Sequence, residues 1–223
     1  MGNKKFLDEP RRHDSALILG CGPSINLLQP QHVENVDTFG VNNFYLHEWL
    51  APDYLMTEIK VGHKYRAEFF NKTLREREKF FKNSAFLIPR EDEHKMNRYI
   101  PDYLPCLEIP FNGYKPCRPY ATYSLGRILS VVNGKRYKTI YLLGVDLYSS
   151  EYFWSGRKDL PDFIQVSNFE RGFSLTTTHR TASEGVIDKL MPYIKRNNIN
   201  VVNLSSKSLL AKEMPTHGLE ILL

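Results

Sequence analysis

An apolar run that breaks into a glycine turn constrains this chain more than any other feature. Residues 16–28 read ALILGCGPSINLL. The run predicts a buried strand, followed by a turn at Gly20 and Gly22 and by Ser24, a residue type common at the start of a helix. Because glycine lets a ligand approach the main chain, we expect the amides of this turn to be free to bind an anion. The turn therefore predicts a nucleotide site within the first thirty residues.

The turn lacks the third glycine of the dinucleotide fingerprint GxGxxG, which argues against an NAD enzyme. Turns of the form GxG also occur in many α/β proteins that bind nothing there. A purely structural role of the two glycines is therefore the alternative interpretation.

Short apolar runs alternate with longer stretches of helical pattern along the chain. The predicted helices are 64–83, 123–133 and 184–197, the last bent at Pro192. This alternation predicts an α/β fold: a single Rossmann-like domain over 1–223, with a mostly parallel twisted sheet and helices on both faces. Residues 149–182 lack periodicity and predict a lid-like insertion. The predicted strands are 16–20, 37–42, 53–57, 85–89, 106–109, 139–146 and 199–205.

The composition narrows the class of ligand. The 223 residues include 30 Lys and Arg against 25 Asp and Glu, a net charge of +5. This mild excess suits a phosphorylated ligand or an anionic membrane surface, and it lacks the concentrated basic stripe of a nucleic-acid-binding protein. Three cysteines without a CxxC pair, together with a polar N-terminal segment, predict a cytoplasmic protein.

Polar residues follow several of the predicted strands, at the sheet edge where open α/β folds bind ligands. Asn42 follows the second strand, although it could simply end that strand. Asp146 follows the strand TIYLLGVD and could equally cap a turn or a helix. His179 lies among three threonines and an arginine, just before a predicted helix, and is a candidate catalytic residue.

The sequence predicts no metal site. It contains no Asp-x-Asp pair, which many sugar-nucleotide transferases use to hold a divalent cation on a diphosphate leaving group. A nucleoside monophosphate leaving group carries less charge, and tyrosine hydroxyls and backbone amides can stabilise it instead.

Five short blocks of the chain resemble, in the same order, those of glycosyltransferase family 42, the bacterial lipooligosaccharide sialyltransferases, and of related GxGPS-domain proteins. The blocks are GCGPSINLL, GVNNFYLHEW, YKTIYLLGVDLYSSEY, THRTASEGVIDKL and NLSSKSLLAKEMP. The resemblance implies a Rossmann-like domain that transfers a sugar from a CMP-sugar to a hydroxyl acceptor without an essential metal. The chain has Cys21 where the family has an asparagine, so the identity of the sugar is left open.

The resemblance also implies roles for individual residues. His179 falls on the family's general base, and Tyr148 and Tyr152 fall on the paired tyrosines that donate to the leaving phosphate. The implied donor-binding residues are Gly20, Gly22 and Ser24 at the phosphate and ribose, Asn42 and Ser124 at the donor, and Asp146 at the cytidine.

We therefore predict a metal-independent glycosyltransferase that moves sialic acid or a similar acidic sugar, with a CMP-sugar as donor substrate and no cofactor. The predicted partners are this nucleotide-sugar donor and a glycan or glycolipid acceptor, with no nucleic acid. Peripheral contact with the inner membrane and assembly into a homo-oligomer are left open. The alternatives are a pterin pyrophosphokinase-type transferase using ATP and Mg²⁺, and a non-catalytic nucleotide-sugar-binding protein.

Overall fold

We describe the fold from a computed structural model. The structure describes residues 4–57, 64–89, 99–109, 123–147, 151–165 and 190–223.

The described strands form one parallel sheet in the order β1-β6-β5-β4-β3-β2-β7-β8, and every neighbouring pair is parallel. The strands are β1 Lys4–Lys5, β2 Ser15–Leu19, β3 Asp37–Val41, β4 Tyr54–Met56, β5 Ala85–Pro89, β6 Cys106–Ile109, β7 Thr139–Leu143 and β8 Val201–Asn203. Strands β2 to β8 confirm the seven predicted strands, with some of them shorter than expected. Strand β1 was missed, because two exposed lysines that pair with an edge strand carry no apolar signal.

Both faces of the sheet are covered, which the side-chain alternation of β2 makes visible. Ala16 and Ile18 belong to one apolar cluster, whereas Leu17 and Leu19 belong to another on the opposite face. All four side chains are fully buried. The unbroken apolar run that predicted the strand is thus the consequence of burial on both faces.

The described helices are α1 Lys64–Glu76, α2 Glu78–Phe81, α3 Tyr123–Gly134, α4 Asp162–Gln165 and α5 Met191–Arg196. The helix predicted over 123–133 is confirmed as α3. The helix predicted over 64–83 is interrupted at Arg77, whose backbone angles are not helical. Of the helix predicted over 184–197, residues 184–189 lie outside the described residues, and Pro192 stands in the first turn of α5.

The strand order places a topological switch point at β2. From β2 the chain proceeds outward on one side through β3, β4, β5 and β6, and then returns to add β7 on the other side of β2. Ligands of open α/β sheets bind at such a point, beyond the carboxyl ends of the strands. The glycine turn after β2 and the residues after β7 meet there.

Candidate active site

The glycine turn after β2 packs directly on the turn after β7. The amide of Gly20 donates to the carbonyl of Leu143 at 2.7 Å, and the amide of Gly22 donates to the carbonyl of Gly144 at 2.8 Å. Our expectation that these two amides are free to bind an anion was therefore wrong. The acceptors lie more than 120 residues along the chain, so the local sequence could not reveal them.

The close approach of the two turns explains why glycine is required there. A Cβ atom on Gly20 would overlap the carbonyl oxygen of Gly144, and one on Gly22 would overlap the carboxyl group of Asp146. Gly144 itself has a φ of +76°, a conformation that side chains disfavour. The glycines thus allow the β2 and β7 turns to touch, which brings Asp146 under the glycine turn.

Ser24 and Asp146 join the same two turns from the side. Ser24 is not the residue that starts the helix; it lies within the 3₁₀ helix Pro23–Leu27, which begins after Gly22. Its hydroxyl accepts from the amide of Gly144 at 3.0 Å, and its amide donates to Asp146 Oδ2 at 2.9 Å. Asp146 therefore does cap a turn, which was one of the two roles considered for it.

Capping uses only one oxygen of Asp146. The residue is 3% exposed, and its Oδ1 is buried without a hydrogen-bond partner in the described part of the chain. A buried polar atom without a partner costs about 1–3 kcal/mol. A hydroxyl or amino group of a ligand would satisfy this oxygen.

Asn42 and Ser124 form a second pair of predicted site residues. The Ser124 hydroxyl donates to Asn42 Oδ1 at 3.1 Å, although 81 residues separate the two in sequence. Asn42 follows β3 with a φ of 55°, in the left-handed region that asparagine tolerates better than most residues. The pair connects the end of β3 with the start of α3.

Cys21, between the two glycines, links these groups to the segment that carries Tyr152. Its thiol donates to the carbonyl of Val41, next to Asn42, at 3.3 Å. Its own carbonyl accepts from the amide of Phe153 at 3.1 Å. Burial raises the pKa of the Cys21 thiol to about 12, so the group is a neutral thiol at neutral pH. The residue that departs from the family pattern is therefore a structural link in this chain.

Tyr152 is half-buried beside Cys21. Its ring stacks on Trp154 with the centroids 4.5 Å apart, and its amide donates to Ser155 Oγ at 2.9 Å. Burial raises the pKa of the Tyr152 hydroxyl. The phenol is therefore protonated at neutral pH and able to donate a hydrogen bond.

Two predicted catalytic residues, Tyr148 and His179, lie outside the described residues, and so does most of the predicted lid over 149–182. Among the residues that are described, no three His, Cys, Asp or Glu side chains are grouped as ligands for a metal ion. Within the same part of the chain, no helix combines the length and the apolarity needed to cross a membrane.

Two arginines that the sequence did not single out hold the turn after β3. Arg77 donates to the carbonyls of Tyr45 and His47, both at 2.7 Å. Arg157 donates to the carbonyl of Leu46 at 2.9 Å. The sequence of the run KTLREREKFFK predicts a solvated helix face, and its charged residues are exposed except Arg77, which turns inward at the break between α1 and α2. Its pairing with these carbonyls fixes the position of the turn that carries Asn42 and Tyr45.

No protein-family model matches the sequence, and neither does any curated protein. Solved structures of similar fold do match. They include the sialyltransferase CstII from Campylobacter jejuni in complex with CMP, at 16% identity and a TM-score of 0.57 over 95% of this chain and 87% of that chain. The chain has the fold of these sialyltransferases.

Two further structures give the same result. The monofunctional α-2,3-sialyltransferase Cst-I from Campylobacter jejuni matches at 17% identity and a TM-score of 0.58, over 96% of this chain and 84% of Cst-I. CstII in complex with a trisaccharide acceptor and CMP matches at 16% identity and a TM-score of 0.57, over 90% of this chain and 84% of that chain. The predicted α/β fold and its resemblance to the sialyltransferases are confirmed.

Proposed function

We propose that the protein is a glycosyltransferase that moves an acidic sugar from a CMP-sugar to a hydroxyl group of a glycan. The observation that carries this proposal is the buried Asp146, whose Oδ1 has no partner in the described structure and which lies at the switch point of a sialyltransferase fold. The structural neighbours include proteins in complex with CMP and with a trisaccharide acceptor, which supports a nucleotide-sugar donor and a glycan acceptor.

Asp146 is well suited to bind the nucleoside. Its Oδ2 is fixed by the amide of Ser24, so the direction of Oδ1 is set before a ligand arrives. A carboxyl oxygen held in this way accepts a hydrogen bond from a ribose hydroxyl or a base amino group. Asn42 and Ser124 would contact the donor, in the roles that the resemblance implies.

The transfer would be a single inverting displacement. The acceptor oxygen attacks the anomeric carbon, the bond from that carbon to the phosphate oxygen breaks, and CMP leaves with the bonding electrons. His179 takes the acceptor proton, because an imidazole has an unperturbed pKa near the working pH. Tyr152, whose phenol is protonated, donates to the phosphate as its negative charge develops, together with Tyr148. No metal and no cofactor is required.

The test is release of CMP from a panel of CMP-sugars, with and without EDTA. We expect the wild-type protein to release CMP in EDTA and His179→Ala to lose about 100-fold or more in rate, the usual contribution of a positioned base. His217→Ala is the matched control, since His217 is exposed, and we expect it to keep the wild-type rate.

Two outcomes would contradict the proposal. Absence of CMP release from every donor, together with magnesium-dependent turnover of ATP on a pterin alcohol, would identify a pyrophosphokinase-type transferase. Binding of CMP-sugars without turnover, unchanged in His179→Ala, would identify a non-catalytic binding protein.

A further inference from the structure

Arg66 in α1 carries a positive charge that nothing in the described part of the chain balances. Its Nη2 donates to the carbonyl of Phe163 at 2.9 Å. Its Nε is buried and has no acceptor among the described residues. No carboxylate of those residues forms an ion pair with it.

Two phenols near Arg66, those of Tyr45 and Tyr152, and the thiol of Cys21 beside them are neutral at neutral pH. The guanidinium is close enough to Tyr45 and Tyr152 to lower the pKa of each, but burial has the larger effect and raises both above the usual value. Cys21 interacts with the same two phenols, and burial keeps its thiol protonated. The group therefore contains two hydroxyl donors, a thiol and one uncompensated positive charge.

The surroundings make this charge costly. Phe69 and Phe70, on the same helix, belong to an apolar cluster that also includes Trp154 and Phe163. Tyr45 packs on Phe70 with the ring centroids 5.0 Å apart. A guanidinium that is partly removed from water and lacks an anion loses solvation that nothing replaces. A bound anion would restore the balance.

We propose that Arg66, Tyr45 and Tyr152 form a subsite for an anionic oxygen of the donor, either the phosphate or the carboxylate of the acidic sugar. This inference rests on the proposed function and names a residue that the family resemblance does not supply. Arginine matches both groups, because its planar N–H donors fit phosphate and carboxylate oxygens.

Arg66 is linked to Tyr152, which in the proposed reaction donates to the leaving phosphate. The hydrogen bond from Arg66 to the carbonyl of Phe163 joins α1 to α4, and Trp154 Nε1 donates to the carbonyl of Ile164 in α4 at 3.3 Å. Trp154 in turn stacks on Tyr152. A fixed positive charge next to a phenol that donates to the leaving group would stabilise developing negative charge without a metal ion.

The test measures the affinity of three probes for the full chain: cytidine, CMP, and CMP-3FNeuAc, the substrate analogue bound to CstII. The variants are Arg66→Met, which removes the charge and keeps most of the apolar stem, and Arg66→Lys, which keeps a charge. Arg75→Met is the matched control on α1, because Arg75 is exposed and donates only to Asn71 Oδ1 among the contacts described.

We expect Arg66→Met to lower the affinity for an anionic probe about 10- to 100-fold and the affinity for cytidine less than about 2-fold. The affinities of Arg66→Lys should lie between those of Arg66→Met and the wild type. Loss of CMP affinity assigns the subsite to the phosphate, whereas loss confined to CMP-3FNeuAc assigns it to the sugar carboxylate. Arg75→Met should bind all three probes as the wild type does.

The contrary results separate the two proposals. If Arg66→Met lowers the affinities for cytidine and CMP equally, or leaves all affinities unchanged, the subsite proposal is wrong and the proposed function is not affected. A wild-type chain that binds none of the three probes overturns the proposed function and the subsite with it. If Arg66→Met does not fold, Arg66→Lys decides between these results through the same ratio of CMP to cytidine affinity.

Discussion

The amino and carboxyl ends of the sheet differ in whether their buried charged side chains have charged partners within the chain. At the amino end, Asp37 is fully buried, and its Oδ2 accepts from the Tyr137 hydroxyl at 2.6 Å and from the amide of Arg12 at 3.2 Å. Its Oδ1 faces Arg12 Nε at 3.7 Å. The carboxylate is therefore neutralised within the chain.

The same arginine also serves a second carboxylate. Arg12 forms an ion pair with Asp53, whose Oδ2 accepts from the amide of Thr38 at 2.7 Å and from its hydroxyl at 2.8 Å. Burial alone would lower the pKa of Arg12, but the carboxylates of Asp53 and Asp37 outweigh it, and the pKa is raised. The network ties β2, β3 and β4 together at their amino ends.

The carboxyl end contains the opposite arrangement. Asp146 has no cation partner and Arg66 has no anion partner among the described residues. Asp146 Oδ1 and Arg66 Nε are both buried without a hydrogen bond. Asp37 Oδ1 at the amino end also lacks a hydrogen bond, but the guanidinium of Arg12 lies 3.7 Å from it. Asp37 at the amino end thus has its charged partner within the chain, whereas Asp146 and Arg66 at the carboxyl end have none among the described residues, and our two proposals assign a ligand to that role.

The largest effect is expected at the amino end, from Asp37→Ala. Removal of this carboxylate leaves the Tyr137 hydroxyl buried without its acceptor and removes one partner of Arg12. We expect a loss of about 3 kcal/mol in the free energy of unfolding, as is typical when one member of a buried charged network is removed. Urea unfolding monitored by circular dichroism measures this loss.

Donor binding by the folded fraction should be unchanged in Asp37→Ala. The matched control is Asp14→Ala, which removes an exposed carboxylate paired with Lys138 at the same end and should barely change stability. Loss of CMP affinity in folded Asp37→Ala would show that the amino end also affects donor binding, and the distinction between the two ends would be wrong.

At the carboxyl end, Asp146→Asn should lower donor affinity and leave stability nearly unchanged. Asparagine keeps the size and one acceptor for the Ser24 amide, but it replaces a carboxylate oxygen with an amide group. We expect affinity for CMP to fall about 100-fold, the loss typical of a charged hydrogen bond in a binding site. We expect stability to hold or rise slightly, because a buried carboxyl group without a cation partner is replaced by a neutral amide of the same size. Calorimetric titration and thermal unfolding measure the two quantities.

The control for this variant is Asp159→Asn, whose exposed carboxyl group binds Arg157 outside the site. If Asp146→Asn lost stability and retained CMP affinity, Asp146 would be only a cap for the turn at Ser24. The carboxyl end would then resemble the amino end.

Much of the sheet could be predicted from the sequence, because burial on both faces leaves an unbroken apolar run in each inner strand. Strand β2 and the glycine turn after it are examples, and so is the position of Asp146 at the end of β7. These predictions depend only on local pattern and on the rule that parallel strands end at the same edge.

The contacts of the site could not be predicted, because their partners are distant in sequence. The amides of Gly20 and Gly22 look free until Leu143 and Gly144 are placed beside them. Arg66 and Arg77 lie in a charged segment in which most neighbours face solvent, and nothing in the local sequence tells an inward arginine from an outward one. Their direction follows from the apolar cluster and the carbonyl groups that α1 and α2 pack against.

The carboxyl end also contains a buried histidine, His47, whose contacts lie within the chain. It is 6% exposed, its Nδ1 accepts from the amide of Leu50 at 3.2 Å, and its ring stacks on Phe44. Burial, with a smaller contribution from the charge of Arg77, lowers the pKa of His47 from 6.5 to about 4. The side chain is therefore neutral in the folded protein, and its hydrogen bond requires that state.

The smallest expected effect is the pH dependence that His47 causes. Between pH 6.5 and about 4 the unfolded chain binds a proton at this histidine and the folded chain does not. Stability is therefore fully present above pH 6.5 and falls as the pH is lowered through this window. His47→Asn keeps an acceptor near the position of Nδ1 and cannot titrate, so the difference in unfolding free energy between pH 7.5 and pH 5 should be smaller in this variant than in the wild type. If the difference is the same in both proteins, His47 takes up its proton in the folded protein as it does in the unfolded chain. The turn that carries Asn42 would then contain a positive charge at pH 5.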